Sequence, residues 1–332
     1  MDPILMLFGQ QPRKLWQWTL KPEQRAWSRD NALALANCAL LAYSDTGKII
    51  TDLSRQQFDP VTPCNSDQHV TDTQAYVAVR RDATIVAFRG TEPTNLRDFG
   101  TDFEARQVPF ESKFQIPGWG RIHEGWADGV AVVLAQVLAA LQAHDDGVRP
   151  LWITGHSLGG ALAMVAAALL ANTGNHRLAG VYTFGQPRVG DTDFRTRYDQ
   201  ALRAITFRCV NDRDLVPHVP PRELSRFEVA LANPNASTIG QFAVSLIQQE
   251  ITPDRYEHAG QLRLLLGGGA ISDRPENEAA REPAFLARPR TARSFFFELP
   301  AFFVESPALI KDHAPINFVT HDGYVERIEA LP

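Results

Sequence analysis

Apolar residues in this 332-residue chain gather into short blocks separated by polar punctuation. Residues 75–79 and 83–88 are two apolar, β-rich runs broken by Arg80-Arg81-Asp82, a spacing that predicts a strand–turn–strand hairpin. Runs at 151–153, 178–184 and 204–210 predict three further strands. Residues 31–43 are apolar nearly all round and read as a buried helix; helices are also predicted over 125–144 and over the alanine-rich 161–171. Strands alternating with helices imply an α/β fold, with a central, mostly parallel sheet and helices on both faces.

Beyond Pro221 the pattern loosens. Residues 239–251 have helical apolar spacing, 267–269 are three glycines that break the chain, and 272–293 read as a long, polar, proline-bearing surface loop. A phenylalanine-rich block follows at 294–310. The expected organisation is an N-terminal extension, 1–28, packing on the core, and a single domain, 29–332, with a longer cap-like or inserted region around 222–305.

Composition narrows the function classes. The net charge of −5, with no long basic block, gives nucleic-acid binding no electrostatic support. Cys38, Cys64 and Cys209 are too few and too scattered for a disulfide framework or a zinc site, and the serine chemistry read below needs no metal or organic cofactor, so none is expected. Residues 1–8 are apolar, but the stretch is short, carries Asp2, and precedes rather than follows Arg13 and Lys14, unlike a secretory signal. The apolar run at 161–171 falls well short of the ~20 residues that span a bilayer. A soluble, intracellular protein without a transmembrane segment is expected, export without a cleavable signal being the other route.

The candidate chemistry centres on Thr154-Gly155-His156-Ser157-Leu158-Gly159-Gly160, set between a predicted strand and a predicted helix. A Gly-x-Ser-x-Gly there is the nucleophile-elbow pattern of α/β-hydrolases. The serine sits on a tight turn that lifts its hydroxyl clear of the sheet, and side chains two residues to either side would strike neighbouring backbone. The bland alternative is a glycine-rich turn with an idle serine.

A serine hydroxyl needs a base to take its proton and a carboxylate to orient that base. In this fold the chain order is Ser, then Asp or Glu, then His. Asp214, just past the strand at 204–210, is the first candidate acid, with Asp212 its rival; His313 is the candidate base, with His321 its rival. The oxyanion needs two preorganised N–H donors. Leu158, after the nucleophile, and the Arg89-Gly90-Thr91 turn after the strand at 83–88 are in the right places.

Five ordered stretches together resemble the class 3 lipases, the group that includes the filamentous-fungal triacylglycerol lipases. They are Ile85 to Glu92, His123-Glu124-Gly125-Trp126, Gly155 to Gly160, Tyr182 to Gly190, and Asp214-Leu215-Val216-Pro217. The similarity runs over roughly 30–221 and resumes near 310–325. The resemblance implies Ser157 as nucleophile, Asp214 as acid because it precedes a hydrophobic-Val-Pro step, and His313 as base because it follows Asp312 near the C-terminus with an aromatic, Phe318, further on. It implies Thr91 and Leu158 as oxyanion residues, and structural support from His123 and Gly125. The chain departs from the secreted fungal members in lacking their disulfides and signal peptide, and in the greater distance from Asp214 to His313.

The expected activity is serine ester hydrolysis through an acyl-enzyme, most readily of acylglycerols or other lipid carboxylic esters. Phospholipase A1, short-chain carboxylesterase and acyltransferase are alternatives on the same fold, as is non-catalytic binding of a lipid or protein. Leu96, Phe99 and Phe103 recur at i, i+3 and i+7 among charged residues. That amphipathic helix lies where the family has its lid, so transient contact with a lipid surface is expected, unless the helix simply faces the core. Phe302 and Phe303, with Phe295 to Phe297, either line an acyl-binding tunnel or pack in the interior.

Overall fold

The computed structural model describes residues 17–66, 73–90, 106–212, 214, 216–220, 222–225, 254–280, 290–291 and 323–332. Helix α1 (Arg29–Leu41) begins at Ser28, whose hydroxyl accepts from the Asn31 amide. It is followed by α2 (Thr46–Ser54), β1 (Val61–Asn65) and the hairpin of β2 (Gln74–Arg80) with β3 (Ala83–Phe88). Strands β4 (Gln107–Pro109) and β5 (Arg121–His123) pair with each other and enclose the short α3 (Phe110–Phe114). Then come α4 (Glu124–His144), β6 (Pro150–His156), α5 (Leu158–Thr173), β7 (Arg177–Phe184), α6 (Thr192–Leu202) and β8 (Thr206–Asn211). Beyond them lie β9 (Glu223–Ser225), β10 (Asp254–Arg255), β11 (Gln261–Leu265), β12 (Ile271–Ser272), α7 (Pro275–Ala279), β13 (Arg290–Thr291) and α8 (Tyr324–Glu329).

Eight described strands form the main sheet in the order β1-β2-β3-β6-β7-β8-β11-β12. The five from β3 to β11 are mutually parallel, and the antiparallel strands lie at the edges. The central strands are apolar on both faces because both are covered. Val86, Phe88, Leu151, Ile153 and Val181 face a core built with α4 and α5. The alternate positions Ile85, Ala87, Trp152, Tyr182 and Phe207 face a second core built with α1 and α8. Period-two alternation therefore survives as a choice between two apolar partners, and the strands read as continuous hydrophobic runs.

The N-terminal segment contributes to the second core. Trp18 is buried against Phe58, and Trp27 stacks on Tyr182 with ring centroids 5.6 Å apart. Helix α4, at 21 residues, has the length and hydropathy of a membrane span, a feature absent from the apolar-run reading. Its Trp126, Val130, Val133, Val137 and Leu141 stripe is buried in the first core, and Asp128 and Gln136 lie on the other side.

Two expectations change after Pro221. The stretch 272–293 is not wholly a surface loop: it contains α7, whose Glu278 is buried. The preceding β11 is a strand of the main sheet, parallel to β8. Neither announces itself in hydropathy, since α7 is one polar turn and a half and β11 is five residues long. The predicted helix at 239–251 and the phenylalanine block at 294–310 lie outside the described residues.

Candidate active site

Ser157 links β6 to α5 with φ 58° and ψ −130°, a conformation that costs a non-glycine residue strain. Crowding imposes it. A Cβ on Gly155 would lie 2.1 Å from the Gly159 carbonyl oxygen, and one on Gly159 would lie 2.3 Å from the Phe88 carbonyl oxygen. Both glycines of the motif are thus required by close backbone approach. Ser157 occupies the N-cap position of α5, where a serine usually bonds the helix amides. Its backbone turns the side chain away, so it makes no capping bond. The buried Oγ has no hydrogen-bond partner among the described residues.

That arrangement leaves both halves of an acyl-transfer site open. The hydroxyl is unspent, and Leu158 is the first residue of α5, whose N–H has no acceptor within the helix. Helix N-termini favour negative charge, so this amide suits a developing oxyanion.

Asp214 follows β8 and is fully buried. Its Oδ1 accepts from the Val216 amide at 2.9 Å, and its Oδ2 accepts from the Tyr324 hydroxyl at 2.5 Å. Tyr324 opens α8, 110 residues further along the chain. Burial pushes the Tyr324 phenol well above its usual pKa, and the neighbouring Asp214 charge pushes the same way, so it stays a donor. Asp212, the rival acid, is only partly buried.

A line of buried polar groups runs below the elbow. Tyr43 Oη lies 2.9 Å from His156 Nδ1, and the His156 and Tyr324 rings meet edge-on at 5.8 Å. Sequence alone assigns neither Tyr43, the end of the predicted helix 31–43, nor Tyr324, set among Asp322, Gly323 and Glu326, a part in the site, because nothing near either marks its partner.

The loop carrying Asp214 is clamped by distant side chains. Arg188 Nη1 donates to the carbonyls of His218 and Pro220, the second at 2.7 Å, and its own amide donates to Val219. His258 Nε2 donates to the Pro217 carbonyl at 2.7 Å. Below them Arg208 on β8 makes a buried bidentate pair with Glu278 of α7, at 2.6 and 2.7 Å. Burial would raise the Glu278 pKa, but Arg208 outweighs it and holds the carboxyl well below the ordinary range. His258 is driven well below the usual histidine pKa by burial, with the Arg208 charge adding to the shift.

His123 explains a second sequence motif. Its Nδ1 accepts the Gly125 amide at 3.0 Å as the N-cap of α4, its ring stacks on Trp126 at 4.2 Å, and burial depresses its pKa to about 3. Trp126 Nε1 in turn donates to the Arg188 carbonyl at 3.2 Å. The His123–Trp126 and Tyr182–Gly190 motifs therefore meet and jointly support the Asp214 loop.

His313 and its rival His321 lie outside the described residues, as do Thr91, Leu96, Phe99, Phe103, Phe302 and Phe303. Among the described residues no group of three His, Cys, Asp or Glu side chains is placed to hold a metal.

Residues 85–224 match the class 3 lipases. That region belongs to the class 3 lipase family. A triacylglycerol lipase of Arabidopsis thaliana is 28% identical over 206 residues, covering 47% of this chain and 38% of that protein. A secreted mono- and diacylglycerol lipase of Fusarium solani is 35% identical over 152 residues, covering 44% of this chain and 43% of that one. The chain thus spans less than half the length of these two relatives. A solved triacylglycerol lipase, described as having a serine protease triad at its catalytic centre, aligns with a TM-score of 0.51 at 22% identity, over 74% of this chain and 84% of that one. At that identity the likeness speaks for the α/β-hydrolase fold, which the class 3 lipase region shares.

Proposed function

We propose that this class 3 lipase-family protein is a serine ester hydrolase acting on acylglycerols or related lipid carboxylic esters. The observation that carries the reading is the unspent Ser157 hydroxyl, held in strain at the uncapped N-terminus of α5. The class 3 lipase match and the buried Asp214 support it. In the proposed cycle Ser157 attacks the ester carbonyl, and His313 takes its proton while Asp214 orients the imidazole. The oxyanion is held by the Leu158 and Thr91 amides. The protonated His313 then gives its proton to the departing alcohol, and water, activated by the same imidazole, releases the acid.

The helix bearing Leu96, Phe99 and Phe103 is proposed as a lid that opens at a lipid surface, and Phe302 and Phe303 as acyl contacts. We further propose residues 29–332 as one domain, with 222–305 contributing both to the main sheet and to a cap.

Titration with a fluorophosphonate, followed by mass spectrometry and hydrolysis of a short-to-long ester series, tests the reading. A single adduct on Ser157 that abolishes turnover is expected, and Ser157→Ala is expected to lower turnover by at least ~10³-fold. A protein that hydrolyses esters as fast with Ser157→Ala would sink it. A protein that resists labelling with detergent or lipid present, yet binds lipid, would favour the non-catalytic reading. Product analysis with an added alcohol separates hydrolysis from acyl transfer.

A further inference from the structure

The two proposed oxyanion donors belong to different strands. Leu158 follows β6 through the elbow, and Thr91 follows β3 through Arg89 and Gly90. Two amides serve one oxyanion only if both reach the same oxygen, and misplacement by ~1 Å is costly. The β3–β6 ladder keeps the strands in register as far as Phe88 opposite Gly155. Arg89 turns to β2 instead, its amide donating to the Gln74 carbonyl at 2.9 Å and its guanidinium to Gln74 Oε1 at 2.7 Å. Past Phe88 the ladder no longer relates the two donors.

Gly90 is seated by close contact. A Cβ there would lie 2.2 Å from Tyr43 Oη, 2.4 Å from the His156 carbonyl oxygen and 3.2 Å from Ser157 Cβ. Its backbone therefore fills a slot walled by Tyr43, His156 and Ser157. Tyr43 is itself fixed. It lies just beyond α1, is buried, and its hydroxyl is hydrogen-bonded to His156 Nδ1 at 2.9 Å. Helix α1 is anchored to β6 two residues before His156, where the buried Thr154 hydroxyl donates to the Leu35 carbonyl at 3.1 Å. The Tyr43 hydroxyl cannot shift without losing a buried hydrogen bond, and Gly90 can come no closer than that oxygen allows. Neither Tyr43 nor His156 takes part in the proposed cycle.

We infer that Tyr43 is a positioning residue for the oxyanion hole. Its hydroxyl, pinned by His156, is the stop that sets how closely the Gly90–Thr91 turn approaches the Leu158 amide. The role deepens the ester-hydrolase reading and rests on it. Tyr43 acts through Gly90 rather than on the ester.

Tyr43→Phe removes the stop and its hydrogen bond but keeps the ring. The test measures kcat and KM for p-nitrophenyl decanoate, and Ki for a decyl trifluoromethyl ketone, whose adduct with a serine carries an oxyanion. We expect kcat to fall about 10- to 100-fold with KM within about twofold, and ketone affinity to fall by a factor similar to that in kcat. Tyr76→Phe is the control, because its buried hydroxyl donates to the Cys38 carbonyl of the same helix at 2.8 Å. It should lower Tm comparably and change neither kcat nor Ki. If Tyr43→Phe does not fold, His156→Asn and His156→Leu decide: the Asn amide can still serve the Tyr43 hydroxyl and should keep most of kcat, whereas Leu should not. An unchanged kcat in Tyr43→Phe, a fall in kcat without a matching fall in ketone affinity, or an equal loss in Tyr76→Phe overturns the positioning role and leaves ester hydrolysis standing. A parent with neither turnover nor a Ser157 adduct overturns the hydrolase reading, and this role with it.

Discussion

Ser157 and Asp214 stand at the carboxyl ends of parallel strands in one sheet, yet they are held by opposite means. Ser157 is fixed by close backbone approach: a Cβ on Gly155 would strike the Gly159 carbonyl within the same turn, and one on Gly159 would strike the Phe88 carbonyl of the adjacent strand, so both positions need glycine. Asp214 is fixed from afar, by a tyrosine 110 residues downstream and by a loop clamped through Arg188 and His258. A nucleophile on a strained turn can be specified by a few neighbouring residues. A buried carboxylate must have its hydrogen bonds supplied by whatever folding brings near, because an unsatisfied charge in the interior is costly.

That contrast can be broken at four points. The largest effect is expected at the clamp. Arg208→Ala would leave Glu278 buried and unpaired, and should destabilise the protein by about 3–5 kcal/mol in urea unfolding. Arg208→Met with Glu278→Leu should recover most of that loss; a double variant as unstable as the single one would show that packing, not charge, matters there.

At the elbow, Gly155→Ala should cost about 1–3 kcal/mol and cut fluorophosphonate labelling of Ser157 far more than the stability loss explains. Normal stability and labelling in this variant would refute local steric control. Removing the long-range donor, Tyr324→Phe, should cost about 2 kcal/mol and lower kcat with little change in KM, by taking away a hydrogen bond to a buried carboxylate. An unchanged kcat would separate Tyr324 from the function proposed for Asp214.

The smallest effect per step is with pH. His123 is neutral in the fold, with its pKa lowered from 6.5 to about 3 by burial. The unfolded chain binds a proton below about pH 6.5 that the folded chain refuses, so this contribution is complete above that pH and is lost as pH falls toward 3, by about 1.4 kcal/mol per unit. His258 acts with the same sign. His123→Asn keeps a capping side chain and should flatten the acid limb of a Tm-against-pH curve; an equally steep limb would assign it to other groups.

Much of the fold was legible because its signals are local. The parallel strands are apolar on both faces and stand out in hydropathy, and the helices α1, α4 and α5 follow from apolar blocks between them. Helix α6 was missed: its only buried side chains are Phe194, Tyr198 and Leu202, a stripe at i, i+4 and i+8 in an otherwise polar segment. The pairing of Glu278 with Arg208 could not be read, since nothing near either residue marks the other across 70 positions. The resemblance to the class 3 lipases favoured Asp214 over Asp212 through the Val-Pro step after it, and Asp214 is fully buried where Asp212 is only partly so.

By itself, then, the order of residues determined the elbow and the sheet's apolar strands, because steric exclusion and hydropathy act over a few residues. Tertiary structure decided which carboxylate is buried, which tyrosine donates to it, and that Arg208 meets Glu278 beneath the Asp214 loop. Those outcomes depend on contacts between segments far apart in the chain, where desolvation makes each partner's identity matter only after the fold has brought them together.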